Sequence, residues 1–245
     1  MTALAAIYRR ELAGYFTTPT AYVFIAIFLF SSSAFGFHIG RFFEAGSADL
    51  SLFFSFYPWL MLIFMPAIAM RLWAEEIRSG SIELLLTLPV RVWAAVGAKF
   101  LAAWTVAVVA LALTTPLWVT VNILGTPDNG AIFVAYLGAL MMAGAYIAVG
   151  AAASALTGNQ VIAFILGVFI AFLFTAAGMP IVVETVSGVL PPAIVEAIAG
   201  LSPLERFVSL SRGVIELRDL VYFFTLTAAW LAVTGVLVAH KRGGG

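Results

Sequence analysis

The stretch Arg71–Pro89, RLWAEEIRSGSIELLLTLP, is a charged segment between two long apolar runs. Residues 50–70 before it and residues 100–127 after it contain no Asp, Glu, Lys or Arg. A charged segment between two such runs is typical of a connection between membrane helices, so this stretch predicts a helical membrane protein. Of the chain's 12 basic and 12 acidic residues, the stretch contains Arg71, Glu75, Glu76, Arg78 and Glu83.

The composition of the whole chain favours the same class. Its 245 residues are 63% hydrophobic and 10% charged, whereas a soluble domain carries about 25% charged residues. Lipid must therefore cover most of the surface. The net charge of zero gives no reason to expect a nucleic-acid partner, and the lack of Cys excludes disulfides. With two His and no cluster of catalytic groups, we expect no metal, no cofactor and no enzymatic activity in this chain.

Apolar runs long enough to cross a bilayer occur six times, since about 20 helical residues span a core of about 30 Å. The longest charge-free run, 129–183, is long enough for two spans, and its polar cluster Thr157–Gln160 is the natural turn between them. We therefore predict an all-α integral membrane protein forming a single transmembrane domain over residues 1–245. The predicted transmembrane helices are 17–40, 50–70, 100–124, 131–156, 161–182 and 220–239.

Two further segments are amphipathic rather than apolar. Residues 1–16 have apolar side chains at helical spacing and predict a helix on the membrane face, with a solvated extension as the alternative. Residues 184–219 are broken by Pro and Gly and predict a helical hairpin that dips into or lies on the opposite face. Whether its polar residues form a solvated face, an outer gate or a partner platform stays open. The charged residues of interest are Arg9, Arg10 and Glu11 in the first segment, and Glu205, Arg206, Arg212, Glu216, Arg218 and Asp219 in the second.

The distribution of basic residues predicts the orientation. If the N-terminus is cytoplasmic, eight of the 12 Lys and Arg lie on the cytoplasmic side, and an excess there is the general rule. Both termini are therefore expected inside. Lys99 lies near the edge of the third span, where its long side chain is expected to snorkel to the interface. With no charge well inside a span, a proton-driven carrier is disfavoured.

Local physical chemistry predicts a short helix within the opening stretch. Gly80 can adopt the left-handed conformation that ends a helix, and Ser81 can cap the next one. Glu83 then lies in the first turn, where the helix dipole favours negative charge. The predicted helix Ile82–Leu88 ends at Pro89. Its leucines need lipid or a protein groove, so it is either an interfacial turn or a docking element.

The same residues resemble a known family. EEIRSGSIELLLTLP is similar to the signature of the ABC-2 type permeases, the membrane subunits of a class of ATP-binding cassette transporters. FYPWLMLIFMPAIAMR, GAKFLAAW and LSPLERFVSLSRGVIELRDLVYF extend the resemblance to the gliding-motility-type subgroup and to the nitrous-oxide-reductase accessory permeases. The sequence departs from the pattern at Arg91, where a small hydroxyl residue is usual, and at Arg206, where His is common.

The resemblance implies a cytoplasmic coupling helix between spans two and three that docks in a groove of a separate ABC ATPase subunit. It also implies an N-terminal elbow helix at 1–16, an outer re-entrant hairpin at 184–219, and a bacterial inner-membrane location. ATP and Mg would be bound by the ATPase, because this chain has no G-x-x-x-x-G-K-[ST] motif. Within the coupling region, 71–91, the docking residues would be Glu75, Glu76, Arg78, Gly80, Ser81, Glu83, Leu84, Leu85, Thr87 and Pro89.

Further partners follow from the same resemblance. Two nucleotide sites imply a second permease copy or a related subunit, and the subgroup often works with a larger auxiliary membrane protein. The expected function is that of an exporter-type permease driven by ATP hydrolysis. The alternative is a mechanical element that relays force to an extracytoplasmic partner without moving a cargo. The identity of any substrate stays open.

Overall fold

The computed structural model describes residues 3–39, 49–83 and 91–243, and these residues are almost entirely helical, with no strand among them. The predicted all-α class is confirmed for this part of the chain. The α-helices are α1 (Ala3–Thr17), α2 (Pro19–Ala34), α3 (Ser51–Ser55), α4 (Tyr57–Ala69), α5 (Arg71–Ser79), α6 (Val92–Ala112), α7 (Thr115–Leu124), α8 (Asn129–Leu156), α9 (Gln160–Ala176), α10 (Pro180–Ser187), α11 (Pro192–Gly200), α12 (Pro203–Ser211) and α13 (Leu217–Gly243).

Helix α8 is the centre of the bundle and packs against α4, α5, α6, α9, α12 and α13. It begins where the Asp128 side chain accepts hydrogen bonds from the backbone N–H groups of Gly130 and Ala131. Small residues let the neighbouring helices approach closely, as is general between membrane helices. At Gly150, a Cβ would lie 2.7 Å from the Ala69 Cβ of α4, so a larger residue there would separate the two helices.

Contacts along α8 define two ends of the bundle. Near its C-terminus α8 contacts α5, and Gly158 in the following turn lies against Arg78. Near its N-terminus, Ala131 contacts Gly213, which follows α12. We call these the α5 end and the α12 end.

Within the described residues, four helices are long and apolar enough to cross a membrane: Pro19–Phe37, Val92–Leu124, Asn129–Leu156 and Leu217–Lys241. A fifth span results if α9 and α10, which are bent by 65° relative to each other, are counted together. The chain is therefore a multi-pass membrane protein, and the number of six spans stays a prediction.

The predicted span 50–70 is not one continuous helix. It is divided into α3 and α4, and α4 has 13 residues, about 20 Å, which is shorter than the bilayer core of about 30 Å. A count of apolar residues does not detect such helix breaks. The third span also differs from its prediction, because α6 already begins at Val92.

The segment predicted as one hairpin, 184–219, instead contains the second half of α10, then α11 and α12, and the start of α13. The polar residues Glu205, Ser209, Arg212 and Glu216, although spaced as on one helical face, do not form such a face, for a physical reason. Helix α12 ends at Ser211, and Gly213 has φ 81°, a left-handed conformation that reverses the chain. The last two residues of the face therefore do not continue the helix.

Candidate functional site

Four charged side chains form a closed cluster between α1, α5 and α6 at the α5 end. Lys99 Nζ lies 3.0 Å from Glu11 Oε1 and 3.0 Å from Glu76 Oε1. Arg10 Nη2 lies 2.8 Å from Glu11 Oε1 and 3.2 Å from Glu76 Oε1. Two cations and two carboxylates thus alternate around a ring, which we call the charge cluster. It connects the N-terminal helix, the charged segment and the third predicted span.

Lys99 is the buried member of the charge cluster. Its side chain is 2% exposed, and its Nζ lies 5.2 Å from the centre of the Trp73 ring. An ammonium group is stable at such a site only when carboxylates and hydrogen bonds compensate for its lost hydration. The expectation that Lys99 snorkels to the interface is therefore wrong. Glu11 and Glu76 come from elements distant in sequence from Lys99, so no local pattern indicated this pairing.

The electrostatics of the N-terminal helix agree with this geometry. Burial of Glu11 acts to raise the pKa of its carboxyl group, but the charges and hydrogen bonds of Lys99 and Arg10 outweigh burial, and the pKa is lowered. The hydrogen bond to Glu11 raises the pKa of Arg10 against the opposing effect of its partial burial. Both side chains are therefore charged at neutral pH, as a ring of alternating charges requires.

The charged segment divides into an inward and an outward set of side chains. Glu76 points into the charge cluster, and its Oε2 atom is buried without a hydrogen-bond partner in the described part of the chain. Glu75, Arg78 and Glu83 are exposed. Of the three glutamates expected to meet an ATPase, only Glu75 and Glu83 are thus presented at the surface.

Gly80 has φ 72° and ends α5, which is the left-handed conformation predicted for it. Residues 81–83 are helical again, so a second helix begins immediately after Gly80. Ser81 Oγ lies 2.9 Å from Ser79 Oγ, and Ile82 is buried. The remainder of the predicted helix Ile82–Leu88, with Leu84, Leu85, Thr87 and Pro89, lies outside the described residues.

Ser154 is a functional candidate that sequence reasoning missed. Its hydroxyl accepts hydrogen bonds from the backbone N–H groups of Trp73 and Ala74, at 3.0 Å each. It also donates to the carbonyl of Met70 at 2.7 Å. Ser154 lies on α8, yet it satisfies the otherwise unpaired N–H groups at the start of α5. A serine in a helix of small residues gives no sequence signal for this role.

Helix α1 makes two further contacts with the start of α5 and the end of α4. The Tyr15 hydroxyl donates to the Ile68 carbonyl at 2.8 Å, and burial raises the pKa of this phenol. The Arg71 guanidinium lies 4.9 Å from the centre of the Tyr15 ring. The predicted elbow residue Arg9, in contrast, is exposed on α1. Helix α1 is therefore fixed to the bundle through Arg10, Glu11 and Tyr15 rather than through Arg9.

At the α12 end, a second ionic contact connects α12 to α13. Arg206 Nη1 lies 3.4 Å from Asp219 Oδ1, and the Asp219 side chain is buried. Arg218 pairs with Glu216, whereas Glu205 and Arg212 are exposed. Arg206, which departs from the family pattern, thus contacts a carboxylate of this chain.

Most polar residues of the predicted spans form hydrogen bonds within their own helices. Ser32, Thr114, Thr115 and Thr120 donate to carbonyl groups three or four residues earlier in the chain. Asn122 does the same through its amide. This pattern favours structural hydroxyl groups over a polar path along the third span.

Together, the fold and the charge cluster define a multi-pass, all-α membrane protein with an ionic connection between three helices at one end. The family model of the ABC-2 family transporter proteins matches residues 45–239, and the chain belongs to this family. It is therefore a permease component of an ABC transporter, a class that works in the lipid bilayer with an ABC ATPase. No curated protein matches the chain.

Proposed function

We propose that this chain is the membrane subunit of an exporter-type ABC-2 transporter, and that it couples ATP hydrolysis on a separate chain to transmembrane transport. The coupling region, 71–91, would dock in a groove of the ATPase. ATP and Mg belong to that partner. The observation that carries the proposal is the charge cluster, because it connects the charged segment to a membrane helix.

The cluster supports coupling by a mechanical argument. Glu76 on α5 contacts Lys99 on α6 and Arg10 on α1. Ser154 binds the start of α5 to α8. A force applied to α5 therefore displaces α1, α6 and α8 with it, unless buried polar contacts are broken. Breaking a buried ion pair costs about 3–5 kcal/mol, which favours movement as a unit.

The exposed side chains of the charged segment indicate how the ATPase is recognised. Glu75, Arg78 and Glu83 present both signs of charge to a partner. Exposed ion pairs contribute only about 0–1 kcal/mol each. Most of the docking energy would therefore come from the apolar residues predicted to follow Glu83, with the charges selecting the orientation.

The proposal includes the finer assignments that the resemblance implies. The chain would act with a second copy or a related subunit and with a larger auxiliary protein, as in the gliding-motility-type subgroup. It would lie in a bacterial inner membrane with both termini in the cytoplasm. In support, the α5 end brings together α1, the charged segment and the 157–159 turn, which six spans and a cytoplasmic N-terminus would all put on the cytoplasmic side.

A second candidate function is the relay of force to an extracytoplasmic protein without a cargo. The observation in its favour is that the span hydroxyls bond to their own helices. Co-purified partners would distinguish the two functions. A large extracytoplasmic partner without cargo-dependent ATPase activity would favour force relay.

The proposal is tested by purifying the tagged chain from native membranes and identifying its partners by mass spectrometry, together with ATPase activity. We expect a P-loop ATPase to co-purify, and we expect Glu75→Lys/Glu83→Lys to recover less of it, because both carboxylates that orient the docking are replaced by the opposite charge. The matched control is Glu205→Lys, which changes an exposed carboxylate at the opposite end and should retain the ATPase. Absence of any P-loop ATPase from the wild-type preparation would refute the proposal.

A further inference from the structure

Helices α10 and α11 form a hairpin that is poorly covered by the rest of the described chain. Val195 is its single buried residue in the structure, whereas Ile181 is 69% exposed and Val189 83% exposed. Helices with such apolar exposure need lipid or another protein around them. We call residues 180–200 the projecting hairpin.

The projecting hairpin differs from the neighbouring α12, which is firmly held. The Ser202 hydroxyl donates to the Thr175 carbonyl at 3.0 Å, and Tyr222 donates to the Leu201 carbonyl. Phe207 and Leu210 of α12 are buried against α8. The hairpin thus extends from a fixed base, and its own surface is largely uncovered within the described chain.

Charge distinguishes between lipid and protein as the covering partner. Residues 180–200 contain Glu184 and Glu196 but no Lys or Arg, and both carboxylates are on exposed residues. Helices that lie on a membrane surface typically carry basic residues that face the lipid headgroups. Two carboxylates without a basic residue favour a protein surface with positive charge.

A matching positive charge exists on this chain. Arg212 is exposed in the turn after α12, and no carboxylate lies within ion-pair distance of it among residues 3–39, 49–83 and 91–243. Gly213, with φ 81°, packs against Ala131 and fixes this turn to α8. The nearby Arg218 already pairs with Glu216. The backbone of Arg212 is therefore fixed to α8, and its exposed guanidinium is available to a partner.

We propose that the projecting hairpin docks on the Arg212 turn of a second copy of this chain, with Glu184 and Glu196 facing the partner subunit's Arg212. In a two-fold dimer the same contact occurs twice, since each copy supplies both surfaces. Contact between the two hairpins is disfavoured, because it would bring like charges together. The inference rests on the proposed function in so far as that function requires two permease copies.

The test uses introduced cysteines, because the chain has no native Cys. One tagged copy carries Glu196→Cys, a differently tagged copy carries Arg212→Cys, and both are co-expressed with the native partners. We expect a disulfide-linked pair bearing both tags. The matched control pairs Arg212→Cys with Val236→Cys, which is exposed on α13 toward its opposite end, and it should give no cross-link.

Charge exchange provides the second measurement. Glu184→Arg/Glu196→Arg should lower the fraction of two-copy complexes about tenfold through like-charge repulsion. Adding Arg212→Glu to the same chain should restore it, because both halves of the symmetric contact are then reversed. Restoration also shows that the hairpin variant still folds.

The outcomes separate this inference from the proposed function. If the ATPase co-purifies with two copies, but no cross-link forms and a nitroxide at Val189 reports only lipid contact, the docking is overturned while the function stands. A complex with one copy, or with a related subunit in place of the second, also overturns the docking. If no ATPase co-purifies, the proposed function itself fails.

Discussion

At the level of single residues, Lys99 distinguishes this chain from a bundle held by apolar packing alone. It is buried between two carboxylates that come from different helices. Its neighbour in the ring, Arg10, makes comparable contacts from an exposed position, with 57% of its side chain accessible. The two cations make similar numbers of contacts but differ in burial, and this difference determines how much each contributes to the stability of the folded protein.

Lys99→Met should therefore destabilise the protein much more than Arg10→Gln. Removing one partner of a buried ion pair costs about 3–5 kcal/mol, because Glu11 and Glu76 would keep their charges without the ammonium group. The exposed Arg10 contributes about 0–1 kcal/mol. Thermal unfolding of both variants in the same detergent checks this. Equal melting temperatures would show that the buried Lys99 stabilises the protein no more than the exposed Arg10 does.

The pH dependence of stability should reflect Glu11. Its pKa is lowered in the folded protein, so its contribution is present above the ordinary carboxyl pKa of about 4.3 and is lost as the pH falls through the lower folded value. The wild type should therefore lose melting temperature below about pH 4. The Glu11→Gln variant should have a lower melting temperature at pH 7, and its melting temperature should fall less steeply as the pH is lowered. If the melting temperatures of the two proteins followed parallel curves against pH, the pairing of Glu11 with Lys99 and Arg10 would be contradicted.

At the level of helices, α5 is held at both ends by features of different origin. Ser154 satisfies its N-terminus from another helix, and Gly80 ends it through a left-handed backbone. Both features act on the short segment that follows the break at Met70. Each can be removed by a single substitution.

Ser154→Ala should weaken the start of α5. The N–H groups of Trp73 and Ala74 would become buried without an acceptor, which costs about 1–3 kcal/mol. Hydrogen exchange of the α5 amides should become faster, while exchange of the distant α12 amides stays unchanged. Unchanged protection in α5 would mean that Ser154 is dispensable there.

Gly80→Ala tests the left-handed end of α5. A Cβ at Gly80 meets nothing within 4 Å, so the cost is that of the backbone conformation alone, about 1–2 kcal/mol. Gly97→Ala is the matched control, because its Cβ also meets nothing within 4 Å but the residue lies inside α6. The control should be neutral or stabilising. A loss of stability in the control as large as in Gly80→Ala would contradict the backbone explanation.

Several helices could be predicted from local sequence, whereas their long-range contacts could not. The charge-free runs indicated α2, α8 and α13, because membrane helices have a characteristic length and composition. The same rule joined α3 and α4, since it is insensitive to helix breaks. Gly80 was predictable because its conformation is set locally. The pairing of Glu76 with Lys99 was not, because it depends on the packing of helices distant in sequence.

At the level of the whole molecule, the central claim is that α5 and α6 move as one unit when the ATPase changes state. Spin labels at Ser79→Cys on α5 and Leu101→Cys on α6 measure this in the complete ATPase complex, in labelled protein that retains ATPase activity. A second pair, Ser79→Cys with Val189→Cys, reports whether the complex changes conformation at all.

The most direct measurement is the distance between labels 79 and 101 with and without bound ATP. Coupling through the charge cluster predicts that this distance stays constant in the wild type while the distance between labels 79 and 189 changes. In Lys99→Met, the distance between labels 79 and 101 should broaden or shift on ATP binding. A wild-type distance between labels 79 and 101 that changes with ATP would contradict the claim, because α5 would then move independently of α6.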